Sequence, residues 1–251
     1  MIATIQYNSQ KYRIDFNEPL DISIPMRATK DNVNAWYIDE PKIFPEVIEG
    51  NTISVEKGAS VNFNSIHFNP HAHGTHTECV GHISGKVHSI NKNLKQFFFL
   101  AEVISVAPEV YMNDSMISEK QLKFALGNKK RDALVIRTLP NLSDKKSLQY
   151  SNTNWTYLKE EAVAYLVKKG IKHLLIDLPS VDREEDGGEL RSHKAFWNFE
   201  GKVRKDCTIT ELIYVPNTVE DGNYFLNLQI APFENDAAPS KPILYKILEE
   251  K

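Results

Sequence analysis

The stretch YLKEEAVAYLVKKGIKHLLID, residues 157–177, changes its periodicity part-way along. Up to Lys169 apolar residues recur at helical spacing, with Leu158, Ala162, Tyr165 and Leu166 on one face, and Gly170 supplies the left-handed cap that ends such a helix. IKHLLID then runs continuously apolar and closes on Asp177, the pattern of a strand buried on both faces. DALVIRT, from Asp132 to Thr138, has the same character, so the middle of the chain predicts two buried strands flanking a helix. A second, shorter helix is predicted after Ser118, whose spacing from Gln121 is that of a capping box before LKFAL, with Gly127 as its stop.

Strand signals surround this segment. ATIQYN, KYRIDF, NTISVEK and ASVNFNSIHF alternate apolar and polar residues with period two, and in the last of them Val61, Phe63 and Phe68 are expected to face a core. CTITELIYV, NYFLNLQI and KPILYKIL follow in the final third, with turn signals at Pro216-Asn217 and Asp221-Gly222. No repeat, flexible linker or long charge run divides the chain, so a single strand-rich α/β domain over residues 1–251 is expected.

Composition removes several function classes. With 251 residues, 41% of them apolar, the chain can bury a substantial core. Lys plus Arg is 30 against 33 for Asp plus Glu, which leaves no basic excess to neutralise a phosphate backbone and argues against nucleic acid as a partner. The most apolar window, Phe97 to Ala107, is broken by Glu102 and falls short of the ~20 residues a bilayer span needs. The opening MIATIQYNSQKYR is too polar for a signal peptide, and the 2 cysteines, Cys79 and Cys207, are too few for a disulfide framework, so a cytoplasmic protein with reduced thiols is expected.

The chemistry concentrates in NPHAHGTHTECVGH, residues 69–82: five of the eight histidines fall between His67 and His82. His76 and Glu78, two apart in an extended backbone, project to the same face and can share one ion. Imidazole and carboxylate donors without paired thiolates suit an open catalytic site for zinc, manganese or iron(II) rather than a closed structural zinc site. A bend at Gly74 is expected to bring His71 onto the same centre. His67, His73, His88 and His173 taken singly read as hydrogen-bonded structural residues, and Cys79 as a small packing residue. Asp177, Ser180 and Asp182 end a buried strand, where α/β proteins build sites and where turn chemistry alone also places Asp and Ser. Ser180 lacks the GxSxG elbow of a serine nucleophile, and Trp36, Phe63 and Trp197 are candidates either for core or for an aromatic pocket.

The same segment resembles the HxGTHxDxPxH signature of the cyclase family of metal-dependent hydrolases, which includes bacterial kynurenine formamidase and isatin hydrolase. The matching residues are His71, Gly74, Thr75, His76, Glu78 and His82. DISIPM from Asp21, HLLIDLPSVD from His173, His193, and ITELIYV containing Glu211 resemble further family segments in the same order. Three departures stand out: one additional residue separates His71 from Gly74, which makes His73 a rival ligand; Glu78 replaces Asp; and Cys79-Val80-Gly81 lacks the proline. The resemblance implies a β-barrel-like core with peripheral helices and the HGTHTE segment at one mouth. It implies His71, His76 and Glu78 as ligands of a first divalent ion, zinc or else manganese, and His193 and Glu211 as residues joining Glu78 around a second ion. His82 is implied as the proton-transfer residue. The expected activity is hydrolysis of an amide, formamide, cyclic amide or ester in a small-molecule substrate, by a homodimer or homotetramer. A metal-dependent cyclase or lyase, and a non-catalytic metal- or ligand-binding member, are the alternatives.

Overall fold

A computed structural model describes residues 1–7 and 9–250. The middle of the chain folds as its periodicity predicts, because each buried strand is followed by a helix that returns across the sheet. Strands β1 (His76–Glu78), β2 (Phe98–Val106), β3 (Ala133–Thr138), β4 (His173–Ile176), β5 (Thr208–Glu211), β6 (Gly222–Ile230) and β7 (Ala237–Glu250) form the sheet. β2, β3, β4 and β5 pair in parallel in that order. β5 pairs antiparallel with β1, β1 with β7, β7 with β6 and β6 with β2, so the seven strands close into a barrel. The parallel crossovers carry α1 (Glu119–Leu126), α2 (Glu160–Lys169) and α3 (Arg191–Trp197).

Alternation along the strands sorts the apolar residues into two cores. Ala101, Val103, Ala133, Val135, Leu175 and Leu226 belong to the cluster inside the barrel. Their neighbours Ile104, Leu134, Ile136, Leu174 and Ile176 belong to the cluster outside it, together with Leu122, Leu166 and Trp197 of the helices. DALVIRT and HLLI therefore read as continuously apolar because both faces are covered. The Ser118–Gln121 capping box starts α1, and Gly170, at φ 86°, ends α2 as its left-handed cap.

ATIQYN and KYRIDF give the expected strands Ile2–Tyr7 and Gln10–Asp15, whereas the region between them and β1 departs from expectation. ASVNFNSIHF supplies only the strand Asn64–His67, which pairs with Lys42–Pro45 in an arm away from both cores. Val61 and Phe63 are each 55% exposed, a correction to their expected place in a core, while Phe68 is half-buried. The sheet that this alternation joins is a two-stranded ribbon whose paired Ile43 and Ile66 stay exposed. NTISVEK likewise gives a two-residue strand followed by a 3-10 turn, Val55–Lys57.

Candidate metal centre

Position on the barrel wall selects which side chains meet. In the β1–β5 register Thr77 lies opposite Thr210, Glu78 opposite Ile209, and His76 opposite Glu211. The two threonine hydroxyls share a hydrogen bond of 2.8 Å, and Cys79, on their side of the strand, packs with the interior cluster. Ile209 packs with the outer one, so His76, Glu78 and Glu211 face the helix layer. The HGTHTE segment thus contributes a wall strand whose His76 and Glu78 side chains point outward under α3, where the mouth of the barrel was expected.

α3 brings His193 onto that face, and Asp182 fixes it there. The Asp182 carboxylate accepts the Ser192 and His193 backbone N–H groups at the start of α3 (2.8 and 3.1 Å) and the His193 Nδ1–H at 2.6 Å. That leaves His193 Nε2 facing Glu78 Oε1 at 3.1 Å and Glu211 Oε1 at 3.8 Å. Glu211 is held in turn by the Val181 N–H, 3.0 Å from its Oε1.

His71 arrives by a different route. Pro70–His73 forms a single helical turn capped by Asn69, and this turn carries the His71 ring to within 3.2 Å of Glu78 Oε2 through Nδ1. The chain bends at Gly74, as expected, with the glycine in extended geometry at φ 168°; a Cβ there would stand 3.3 Å from the Ile24 carbonyl, so close packing favours the glycine. His73 points elsewhere: its Nδ1 accepts the Asn69 N–H and its Nε2–H donates to the Asp39 carbonyl, both at 2.9 Å. Of the two rivals, only His71 joins the cluster.

The donor and acceptor pattern of the cluster suits a cation. His76 Nδ1–H donates to the Gly74 carbonyl at 3.1 Å, so Nε2 carries the lone pair. That lone pair lies 3.4 Å from Glu211 Oε2, acceptor against acceptor, and neither His76 Nε2 nor the buried Glu78 Oε2 has a hydrogen-bond partner among the described residues. Buried acceptors in mutual contact are costly unless a cation lies between them. His71, His76 and Glu78 offer one donor atom each within 4.8 Å of one another, and Glu78, His82 and His193 form a second such group. The donor set of imidazole nitrogens and carboxylate oxygens fits one or two divalent ions of the zinc or manganese type.

Charge is shared across the cluster. Burial opposes ionisation of His71, but the Asp236 and Glu78 carboxylates outweigh it and push its pKa up to about 10. Burial likewise opposes the His193 imidazolium, and Asp182 with Glu78 raises its pKa well above the ordinary value. Burial would raise Glu78, yet the surrounding His82, His193 and His71 hold it well below the usual carboxylate range. His82 sits at the edge, its side chain 30% exposed, with Nδ1 3.7 Å from Glu78 Oε2 and 3.4 Å from Asp236 Oδ2.

The Cyclase family model matches residues 20–183. The chain belongs to the cyclase family. A curated relative, the kynurenine formamidase of Bacillus cereus, is 26% identical over 236 residues, covering 92% of this chain and 99% of that one. Among solved structures, an isatin hydrolase bound to the product analogue thioisatinate shares the fold with a TM-score of 0.66 at 14% identity, covering 92% of each chain. A structure described as a predicted metal-dependent hydrolase, from Bacillus stearothermophilus, shares it with a TM-score of 0.65 at 18% identity, covering 91% of this chain and 98% of that one.

This cyclase-family chain therefore brings His71, His76, Glu78, His82, His193 and Glu211 to one place. Asp182, one of the three residues at the strand end, touches the cluster, whereas Asp177 accepts the Thr138 N–H and pairs with Lys145, and Ser180 Oγ accepts the Asp182 N–H. His173 lies inside the barrel on Thr208 and Phe99. Trp197 packs beneath His193 in the outer core, Trp36 packs on Trp155, and Cys79 donates to the His88 carbonyl, all structural contacts. Asp236 escaped the sequence reading: its Oδ2 lies 2.9 Å from His71 Nε2, 165 positions away, and no local spacing marks it.

Proposed function

We propose that this chain is a metal-dependent hydrolase of an amide-type C–N bond, in a formamide or cyclic amide of a small molecule. The observation that carries the reading is the buried His76 lone pair facing the Glu211 carboxylate beside an unpartnered Glu78 oxygen, an arrangement that a divalent cation resolves. His71, His76 and Glu78 would hold a first ion, and His193 and Glu211 would join Glu78 around a second. When bound, such an ion supplies Lewis acidity that polarises a carbonyl and lowers the pKa of water to about 7. Zinc is the preferred ion and manganese the alternative.

His82 is the group left to move protons. It stands beside Glu78 yet reaches solvent, where its imidazole can accept a proton during attack and return it to the leaving nitrogen. Asp182 and Val181 orient His193 and Glu211, and the outer core under α3 excludes water from the floor of the site. The names of the relatives motivate the first substrates to try, N-formylkynurenine and isatin.

We further propose a single domain and a homodimer or homotetramer in the cytoplasm. Ile43, Phe44, Val47, Ile48, Phe63 and Ile66 are exposed along one arm, an apolar stretch of the kind that subunit contacts cover, and both cysteines are free thiols. Among the described residues no helix is long and apolar enough to cross a membrane. Elemental analysis of the purified protein, paired with rates on N-formylkynurenine and isatin, tests the enzymatic reading. Bound divalent ion with turnover of either amide is expected; a protein that neither retains nor responds to zinc or manganese would overturn it.

A further inference from the structure

The proposed mechanism leaves one carboxylate of the cluster without a task. Asp236 stands immediately before β7, and its backbone is pinned: its carbonyl accepts the Cys79 N–H at 3.0 Å, and the preceding Asn235 carbonyl accepts the Ile90 N–H at 2.8 Å. A single oxygen of its side chain, Oδ2, faces two imidazoles, at 2.9 Å from His71 Nε2 and 3.4 Å from His82 Nδ1. Those rings stack at 4.3 Å between centroids, with 29° between their planes. Asp236 thus meets His71 on the side away from Glu78, since the other ring nitrogen, Nδ1, is the one directed at Glu78 Oε2.

We propose that Asp236 is a positioning residue: it holds the His71 proton on Nε2, so that Nδ1 is the nitrogen presented to a metal ion, and with the same oxygen it braces His82. A carboxylate on the outer nitrogen of a ligating histidine fixes tautomer and ring orientation, and losing such a partner typically costs 10–100-fold in metal affinity. The arrangement at His193 is the reverse. There Asp182 takes the Nδ1–H and Nε2 faces Glu78, so His71 and His193 present opposite nitrogens to the same carboxylate. This assignment rests on reading the cluster as a metal centre.

The test uses ions alone. In zinc-loaded protein labelled with 15N at histidine, His71 is expected to carry its proton on Nε2 and His193 on Nδ1. Asp236→Asn should bind Co2+ roughly 10–100-fold more weakly in chelator competition, with the same stoichiometry and the same visible absorption envelope, and should lose the slowly exchanging His71 N–H while that of His193 persists. Asp236→Ser, which removes the carboxylate without adding bulk against Gly81, repeats the measurement should the amide variant fail to fold. A variant that binds Co2+ as tightly as the parent, or a His71 that binds zinc through Nε2, would overturn the positioning role alone. So would a changed Co2+ spectrum, which would make Asp236 a ligand. A parent that binds no divalent ion would overturn the metal reading and this proposal with it.

Discussion

Within the cluster, burial separates residues proposed to hold a metal ion from the one proposed to move protons. Glu78 and His76 are fully buried, whereas His82, four residues after Glu78, reaches the surface. His82→Ala is therefore expected to keep fold and metal while turnover drops by roughly 10²–10⁴-fold, the usual contribution of general acid–base catalysis. Glu78→Ala should lose the ion instead. Metal stoichiometry and turnover measured on both variants check the division, and a metal-free His82→Ala protein would remove it. A second residue-scale expectation concerns His173. Burial inside the barrel, with Lys172 adding to it, lowers its pKa to about 3, whereas an unfolded chain protonates this histidine near pH 6.5. Below pH 6.5 the unfolded state binds a proton that the folded state refuses, so this residue costs stability progressively as pH falls toward 3, by at most about 1.4 kcal/mol per pH unit. His173→Gln should flatten the acid limb of a melting-temperature profile between pH 4 and 6.5.

Single elements decide how faithfully these groups are placed. The 3-10 turn Val80–Ile83 carries His82, and its Gly81 has no room for a side chain: a Cβ would lie 2.3 Å from the His88 carbonyl oxygen and 3.1 Å from Asp236 Cβ. Gly81→Ala is expected to destabilise the protein by about 1–3 kcal/mol, as overpacking against the His88 carbonyl does, and to weaken metal retention because part of the strain falls on Asp236. Thermal unfolding and chelator competition on that variant read the two effects separately. Elements with a full period of their own were legible in the sequence: α2 declared itself through Ala162 and Leu166, and β3 and β4 through unbroken apolar runs. His76 and Glu78 were legible because two-residue spacing on a strand is itself a chelating geometry. The helical turn at Pro70–His73 was not, since four residues carry too little pattern to separate a turn from a bend. Asp236 was hidden for a different reason, being brought to His71 only by sheet closure.

At the scale of the whole molecule, the barrel leaves the ribbon near its start without cover. The ribbon of Lys42–Pro45 and Asn64–His67 holds Phe44 and Ile66 in the open, and Phe63 just precedes it. Paired substitutions Phe44→Asp and Phe63→Asp are expected to shift the light-scattering mass toward that of one chain while leaving the melting curve of the barrel in place. A parent that is already a monomer at micromolar concentration would reject the subunit contact. Closure itself depends on β7, whose 14 residues pair with β1, β6, the Leu20–Asp21 strand and the Gln10–Asp15 strand. Every one of those partners precedes it in the chain. During synthesis the ribosome therefore releases β1 and β6 with free edges, and the nascent chain carries its histidines without the carboxylate that orients them. Tight ion capture is therefore expected to be a late event of biogenesis, complete once the final stave has emerged and sealed the wall.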